Sequence, residues 1–302
     1  MDMSVNIAGV TWKNPVTVAS GTFGSGAEYS EFVDLNELGA VTTKGVALTP
    51  WQGNKTPRVA EVYGGMLNAV GLQNPGIDLF CERDIPYLKK FDTKIIVNVC
   101  GHSVEEYAGV VERLSDEPVD MLEINISCPN VKEGGIAFGQ DPKAVEAVTK
   151  EMKRYAKQPV IMKLSPNVTD ITEIARAAEA GGADALSLIN TITGMKIDIH
   201  RRTFVLANKT GGMSGPAIHP VAVRMVYECA QAVRVPIIGM GGIMNAEDAI
   251  EMLLAGASAV SVGTANFTDP YVTKKIICGI RDYMEKYEIS AVRELVNAAK
   301  LA

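Results

Sequence analysis

The sequence predicts an α/β protein and, within that class, a (β/α)8 TIM barrel. Eight short apolar segments recur along the 302 residues, and helical patterns of apolar residues separate most of them. No change in composition marks a linker, so residues 1–302 are expected to form a single domain. Polar residues or glycines come directly at the end of all eight segments, as the mouth of a barrel requires. A doubly wound open sheet is the competing architecture.

The predicted elements alternate along the chain. The strands are Val16–Ala19, Ala40–Thr43, Lys94–Val99, Met121–Ile126, Pro159–Leu164, Ala185–Asn190, Val235–Met240 and Ala259–Val262. The helices are Val104–Leu114, Pro142–Ala156, Ile171–Ala180, Pro220–Val233, Ala246–Ala255 and Pro270–Tyr287. Ser103, Asp141 and Asn245 are of the residue types that cap helix N-termini.

An N-terminal β-hairpin and three long loops complete the prediction. The hairpin covers Val5–Trp12 and turns at Ala8 and Gly9. Insertions follow strands 2, 4 and 6, and the longest are Thr49–Gly76 and Thr193–Gly215. Insertions of this length usually build binding walls or subunit contacts.

Composition and charge narrow the possible functions. The net charge of -6 and the pI near 5.3 argue against a nucleic-acid binder, which needs a basic face. No apolar run approaches the ~20 residues that span a bilayer, and the N-terminus lacks a signal-peptide pattern, so a cytoplasmic protein is expected. An anionic substrate would have to be bound by a few local cations.

The cysteines predict neither a disulfide framework nor an iron–sulfur site in this chain. There are five, widely spaced and without a CxxC pair. Cys81, Cys100, Cys229 and Cys278 are interpreted as small buried apolar residues. The histidines His102, His200 and His219 have no partner at metal-ligand spacing, so they are interpreted as surface or capping residues and no metal site is predicted.

Cys128 is the leading candidate for acid–base chemistry. A free cysteine is usually an inert core residue, but this one directly follows a predicted strand and precedes Pro129. Asn125 and Asn130 place amides on either side of it. A thiol with an ordinary pKa near ~8.5 can take a carbon-bound proton where its neighbours favour the thiolate. Gly134, Gly135 and Gly139 follow, and they are compatible with a loop that closes over the thiol.

Two glycine turns predict a phosphate site. Gly241 and Gly242 follow the seventh strand, and Gly263 and Thr264 follow the eighth. Backbone N–H groups at such positions bind phosphate in many barrels. Glycines that merely end strands are an equal alternative for either turn alone, but both turns on adjacent strands favour phosphate. Gly215 would add a third close approach of the backbone.

Lysines and asparagines at the same mouth predict a polar, planar ligand. Lys44 and Lys163 end strands, where a cation can bind a carboxylate or stabilise negative charge on a cofactor ring. A surface charge is the ordinary alternative for both, and a Schiff-base role remains open for Lys163. Five asparagines at strand ends or in mouth loops could surround a flat heterocycle: Asn68, Asn98, Asn125, Asn130 and Asn190.

The chain resembles the dihydroorotate dehydrogenases, FMN enzymes of pyrimidine synthesis. The resemblance runs from Asn14 to about Tyr287 through ASGTFGSG, TTKG, NAVGLQNPG, INISCPN, MKLSPN, LINT, GGMSGPAI, GMGGI and SVGTANF. It implies that Cys128 removes the proton from C5 of dihydroorotate while hydride passes from C6 to flavin N5.

The resemblance also implies which residues bind each ligand. The substrate residues would be Lys44, Asn68, Ala69, Val70, Gly71, Leu72, Asn125, Asn130, Asn190 and Thr191. The FMN residues would be Ser20, Lys44, Gly45, Asn98, Asn125, Lys163, Ile189, Gly215, Gly241, Gly242, Gly263 and Thr264.

Within that family, the sequence is most similar to the soluble, NAD-linked class (type B). A cysteine at position 128 and the absence of an N-terminal membrane segment separate it from the quinone-using class, and the segment IDIHRRTFVLANKTGGMSGPAI resembles the NAD-linked type. That class implies a partner subunit with FAD and an iron–sulfur cluster, in a heterotetramer of two catalytic and two electron-transfer chains.

Three rival functions stay open on the sequence alone. A flavin-dependent dihydropyrimidine dehydrogenase shares the barrel and the cysteine but typically has histidine where Asn130 stands. A flavin-free, phosphate-binding barrel lyase would use Lys163 as a Schiff base. A non-catalytic barrel could serve only as an assembly subunit, although the full set of mouth residues counts against it.

Overall fold

A closed barrel of eight parallel strands forms the centre of the molecule. The computed structural model describes residues 1–127, 132–133 and 136–301. The barrel strands are β1 Val16–Val18, β2 Ala40–Thr42, β3 Lys94–Val99, β4 Met121–Asn125, β5 Val160–Lys163, β6 Ala185–Leu188, β7 Ile237–Met240 and β8 Ala259–Val262. Neighbours in the chain are neighbours in the sheet, and β8 pairs with β1.

The contact between β1 and β2 closes the ring. The Gly39 amide donates to the Val16 carbonyl at 3.1 Å, and the hydroxyl oxygens of Thr17 and Thr42 lie 3.2 Å apart. An open doubly wound sheet would leave these two strands as separate edges or pair them differently. The predicted (β/α)8 barrel is therefore confirmed, and the open-sheet alternative is wrong.

Helices cover the outside of the barrel, and the core lies between the two layers. One buried apolar residue from each of five helices illustrates it: Val110, Val148, Ile174, Val226 and Leu253 are all at most 2% exposed. The strands are buried on both faces, which explains why they read as nearly continuous apolar runs in the sequence.

The helix bounds agree closely with the prediction. The long helices are Val104–Leu114, Pro142–Tyr155, Ile171–Ala180, His219–Ala232, Ala246–Ala255 and Val272–Lys286. The predicted caps Ser103, Asp141 and Asn245 each accept a hydrogen bond from an N–H of the first helical turn. In the part of the chain that is described, no helix is long and apolar enough to cross a membrane.

The first two β/α units depart from the regular pattern. Strand β1 is followed by the 3-10 turns Tyr29–Glu31 and Leu35–Glu37 instead of an α-helix. The helical segment after β2 has a π-helical middle. The remaining short helices are Ile77–Leu79, Phe80–Asp84 (π), Ile85–Leu88, Phe138–Gln140, Pro216–Ile218, Ala265–Thr268 and Val292–Leu295.

The N-terminal hairpin is confirmed, and the two long insertions join each other. Val5–Ile7 pairs with Val10–Trp12. The insertions contribute a four-stranded antiparallel sheet, which we call the wall sheet, in the order Ile192–Met195, Thr210–Ser214, Gly65–Asn68 and Val59–Val62. Two smaller antiparallel pairs are Ile197–Asp198 with Thr203–Phe204, and Lys132–Glu133 with Ile136–Ala137.

Candidate active site

A cavity of about 520 Å³ lies at the carboxyl ends of the barrel strands, beside the wall sheet. Its volume falls within the roughly 300–1,000 Å³ typical of small-molecule sites. Most of the predicted site residues line it: Ser20, Lys44, Asn68, Ala69, Val70, Gly71, Leu72, Asn125, Lys163, Ile189, Asn190, Thr191, Gly241, Gly242, Gly263 and Thr264.

Three described residues of the predicted set do not line the cavity: Gly45, Asn98 and Gly215. Cys128 and Asn130 lie outside the described residues, as do Gly134 and Gly135 of the predicted closing loop. Gly139 is described, and it lines the cavity.

Two amides, at the ends of β4 and β6 on either side of β5, form one side of the cavity, which we call the amide end. Asn190 Nδ2 donates to Asn125 Oδ1 at 3.4 Å, and Asn190 Oδ1 accepts from the Thr191 amide at 2.8 Å. The Tyr107 hydroxyl donates to the Asn125 carbonyl at 2.6 Å. Ser127, two residues after Asn125, donates through Oγ to the Lys163 carbonyl at 3.1 Å. These bonds fix the direction of the Asn125 backbone and side chain.

The wall sheet also contributes residues to the amide end. Asn68 is the last residue of its strand and pairs with Gly212. Beyond it, the backbone of Ala69 and Val70 is held by Asn54, whose Nδ2 donates to the Ala69 carbonyl at 2.9 Å and whose amide donates to the Val70 carbonyl at 3.0 Å. Hydrogen bonds within the insertion Thr49–Gly76 therefore hold the segment that contains Asn68 and Ala69–Leu72 in place at the cavity.

Lys44 and Lys163 place two ammonium groups in the wall of the cavity. Among the described lining residues they are the two with ionisable side chains, and none carries a carboxylate. Burial, together with repulsion from Lys163, lowers the pKa of Lys44, although the nearby Cys100 acts in the opposite direction. A desolvated ammonium such as that of Lys44, for which the described residues provide no carboxylate partner, is suited to bind an anion.

A buried carboxylate lies beneath Lys163, and the sequence analysis missed it. Glu123 of β4 is 2% exposed. Its oxygens accept hydrogen bonds from Asn98 Nδ2 at 2.6 Å and Ser187 Oγ at 2.8 Å, and the Lys163 ammonium lies 3.6 Å away. Asn98, a predicted cofactor residue, therefore donates through its Nδ2 to this network, while its Oδ1 is buried and has no hydrogen-bond partner within the described ranges. A charged residue inside an otherwise apolar strand was the available signal.

The glycine turns form the other end of the cavity, which we call the glycine end. Gly241 and Gly242 follow β7 with φ of +128° and +69°. A Cβ at Gly242 would lie 2.7 Å from His219 Cβ and 2.8 Å from the Gly215 carbonyl oxygen. Only glycine fits this turn without displacing its neighbours. The Gly215 carbonyl therefore packs closely against the turn at Gly242.

The second glycine turn is tied to the wall sheet. Thr264 follows β8 and donates through Oγ1 to Ser214 Oγ at 2.7 Å. Gly263 has room for a Cβ, which would lie 3.4 Å from Ala19 Cβ. The buried Ser261 hydroxyl lines the same region and has no hydrogen-bond partner among the described residues. An unpartnered buried hydroxyl in a cavity wall suits contact with a polar ligand.

Other cavity residues were not predicted. Asn54, Asn167 and Asn208 line the cavity in addition to the expected asparagines. Asn167 donates through Nδ2 to the Thr191 carbonyl at 3.0 Å and accepts from the Thr193 amide at 2.9 Å, so it positions a predicted substrate residue. Its place after the Lys163 strand, in the segment KLSPN, was the signal that could have identified it.

The cysteine and histidine interpretations need two corrections. Cys278 is exposed on the helix Val272–Lys286 instead of buried. His219 is 8% exposed and hydrogen-bonded, so it is not a surface residue. Burial raises the pKa of Cys81 to about 11 and that of Cys229 to about 12, so both thiols are poor bases at neutral pH. Within the described ranges, no group of three or more His, Cys, Asp or Glu residues could bind a metal ion.

Comparison with known proteins identifies close relatives along the whole chain. The family model for dihydroorotate dehydrogenase matches residues 2–284. The chain is 70% identical to the protein named dihydroorotate dehydrogenase B (NAD(+)), catalytic subunit, of Lachnoclostridium phytofermentans, over 99% of this chain and 100% of the relative. Proteins with the same name from Alkaliphilus metalliredigens and Geotalea daltonii are 64% and 56% identical, over 98% and 99% of both chains.

Proposed function

The chain belongs to the dihydroorotate dehydrogenase family, and on that premise we propose that it oxidises dihydroorotate to orotate in pyrimidine biosynthesis, as the catalytic subunit of an NAD-linked enzyme. The observation that carries this proposal is the cavity itself. It combines two lysines, no described carboxylate, side-chain amides at one end and glycine turns at the other. A planar anion and a phosphate-bearing cofactor need these groups.

The residues of the cavity fit a flavin, and we propose FMN. The turn at Gly242 has no room for a Cβ, and the Ser261 hydroxyl is buried without a hydrogen-bond partner in the described part of the chain. FMN, when bound, supplies the acceptor for the hydride of the substrate. The residues proposed to hold it are Ser20, Lys44, Gly45, Asn98, Asn125, Lys163, Ile189, Gly215, Gly241, Gly242, Gly263 and Thr264.

We assign the amide end to the substrate. Lys44 is proposed to bind the substrate carboxylate, because it is a buried cation in a cavity without described acids. Asn68, Asn125 and Asn190 would orient the ring by donating to its carbonyl oxygens and accepting from its N–H groups. Thr191, the segment Ala69–Leu72 and Asn130 complete the proposed substrate set.

Cys128 is proposed as the base. It follows the described end of β4 by three residues, and Asn125 at that end already lines the cavity. In the proposed reaction the Cys128 thiolate takes the proton from C5 of dihydroorotate. Cys81 and Cys229 are unsuited to this task, because burial raises the pKa of both thiols.

A partner subunit follows from the names of the relatives, which are called catalytic subunits. We propose that the partner carries FAD and an iron–sulfur cluster and passes electrons to NAD+, in a heterotetramer with two copies of each chain. We also propose that this chain is one domain and acts in the cytoplasm, without binding nucleic acid or membrane.

Anaerobic addition of dihydroorotate to the purified yellow protein tests the function. Loss of the flavin absorbance with dihydroorotate, but not with dihydrouracil, is the expected result, because dihydrouracil lacks the carboxylate that Lys44 would bind. Bleaching by dihydrouracil alone would contradict it in favour of a dihydropyrimidine dehydrogenase. A protein that binds no flavin, and whose Lys163 is trapped by borohydride with a carbonyl substrate, would contradict it in favour of a Schiff-base lyase.

A further inference from the structure

Glu123 has no role in the function proposed so far, although it contacts two residues assigned to FMN. Side chains alternate between the faces of a strand, so Glu123 lies on the same face of β4 as Asn125, one layer further from the cavity. Asn98 of β3 is its register partner, and Lys163 of β5 pairs with Ser187 of β6. The sheet register therefore brings one polar or charged side chain from each of four neighbouring strands into a single cluster.

The described partners of Glu123 all present hydrogen-bond donors to it. Asn98 Nδ2 donates to Oε1 at 2.6 Å, and Ser187 Oγ donates to Oε2 at 2.8 Å. Lys163 Nζ lies 3.6 Å from Oε1. Both carboxyl oxygens accept, which is the arrangement of an ionised carboxylate. Such donors and a neighbouring cation offset the cost of burying the charge.

Lys163 lies between this carboxylate and the cavity. Both side chains are buried, but Lys163 lines the cavity and Glu123 is not among the described lining residues. Lys163 is the register partner of Asn125, which places it at the amide end and not at the glycine turns. In the described part of the chain, Glu123 provides the one carboxylate within ion-pair distance of its ammonium. The cation that faces the ligand is thus paired with an anion that does not.

We propose that Glu123 is the counterion of Lys163 and lowers the reduction potential of the bound flavin. This role rests on the proposed function, because it takes Lys163 as a residue that holds FMN. A cation near the flavin ring favours the negative charge that reduction places on the ring, and an anion beside that cation partly cancels this preference. A lower potential makes the reduced flavin a stronger electron donor, as an enzyme that passes electrons to NAD+ requires. Glu123 acts through Lys163 and is a positioning residue.

The test is the midpoint potential of FMN bound to the full-length chain, measured by anaerobic equilibration with a reference dye. Wild type is compared with Glu123→Gln, in which the amide can still accept from Asn98 and donate to Ser187, so that the charge is the main loss. The affinity for reduced relative to oxidised FMN is expected to rise about tenfold, which is a potential about 30 mV more positive for a two-electron couple. An unchanged or lower potential would overturn the counterion role.

Glu123→Asp is the conservative variant that retains the anion. Its shorter side chain cannot span the same distances to Asn98 and Ser187, but it keeps a carboxylate beside Lys163. Its midpoint potential is therefore expected to lie closer to that of wild type than to that of Glu123→Gln. A positive shift as large as in Glu123→Gln would assign the effect to altered packing and overturn the role of the charge.

Lys163→Met tests the same pair from the other side. Removal of the cation leaves the anion alone, so the potential at saturating FMN should be more negative than that of wild type. A potential equal to or above that of wild type would contradict the proposal even if Glu123→Gln failed to fold. Failure of the proposed function has a different signature, because the wild type itself would then bind no flavin.

Discussion

The amide end and the glycine end of the cavity are suited to their ligands in different ways. At the amide end the groups that face the ligand are side chains, such as Asn125 and Asn190, each fixed by further hydrogen bonds. At the glycine end the absence of a side chain is what matters, because a Cβ at Gly242 would collide with its neighbours. Removal of side-chain atoms should therefore impair the amide end, and addition of side-chain atoms should impair ligand binding at the glycine end. This contrast can be tested one end at a time.

The largest effect is expected at the amide end, from Cys128→Ser. Serine is a far weaker base than cysteine, so flavin reduction by dihydroorotate should slow by roughly 10²–10⁴-fold near neutral pH, while FMN is retained. Stopped-flow absorbance under anaerobic conditions measures the rate. Cys278→Ser, at an exposed helix position, is the matched control and should reduce at the wild-type rate. Equal rates in all three proteins would remove Cys128 from the mechanism.

Adding one methyl group at the glycine end should release the cofactor. Gly242→Ala forces a side chain into a turn with φ of +69° and into contact with His219 and the Gly215 carbonyl. We expect FMN affinity to fall by about tenfold to hundredfold, from strain of a few kcal/mol. Gly9→Ala is the control, because Gly9 has φ of +87° but nothing within 4 Å of its Cβ position. Retention of FMN in Gly242→Ala would place the phosphate elsewhere.

Removal of the charge of Lys44 should affect the substrate more than the cofactor. Lys44→Met should raise the KM for dihydroorotate by about tenfold or more, the loss expected for a charge-assisted hydrogen bond. Lys163→Met is the comparison, since it should instead slow flavin reduction or weaken flavin retention. Steady-state kinetics and flavin content distinguish the two. If both variants lost flavin and neither changed the KM, the assignment of the amide end to substrate would be wrong.

The lowered pKa of Lys44 predicts a smaller effect that depends on pH. Substrate binding needs the charged ammonium, and its charge is lost as the pH rises through the lowered pKa. The KM for dihydroorotate should therefore begin to rise at a pH below the ordinary lysine value of about 10.4. In Lys44→Arg the guanidinium stays charged up to about pH 12, so the KM of this variant should not change over the same range. A rise of equal size in Lys44→Arg would assign the effect to another group.

The smallest effects are expected in the barrel interior, which supports the amide end. Ser187→Ala removes a hydrogen bond to the buried Glu123 carboxylate and should lower the free energy of unfolding by about 1–3 kcal/mol. Ser261 is matched in burial, but its hydroxyl has no hydrogen-bond partner among the residues that the structure describes, so flavin-free Ser261→Ala should be as stable as wild type or slightly more so. Urea unfolding of the flavin-free proteins compares them. An equal loss of unfolding free energy in the two variants would mean that the hydrogen bond to Glu123 makes no contribution of its own to stability.

Local patterns in the sequence predicted most of the fold. Val104–Leu114, Ile171–Ala180 and Ala246–Ala255 begin and end as predicted, because capping residues and apolar spacing are both local signals. The wall sheet could not be predicted in this way. Its central pair joins Gly65–Asn68 to Thr210–Ser214, which are far apart in sequence, and no local pattern specifies such a partner.

The site residues also divide into those that a local sequence pattern predicts and those whose role depends on partners far away in the sequence. Positions at strand ends, such as Lys163 and Asn190, were predicted because the barrel brings all strand ends to one mouth. Glu123 was missed, since its role depends on partners on other strands, Ser187 and Asn98. A buried charge is recognised only when the groups that compensate it are known.

A crystal structure of the protein with FMN and orotate would show which end of the cavity binds each ligand. We expect the FMN phosphate at the Gly241–Gly242 and Gly263–Thr264 turns, and orotate between Asn68, Asn125 and Asn190 with its carboxylate at Lys44. We also expect the Cys128 sulfur against the face of orotate that lies opposite the flavin. A phosphate bound away from the glycine turns, or a Cys128 sulfur packed in the interior away from orotate, would contradict this assignment.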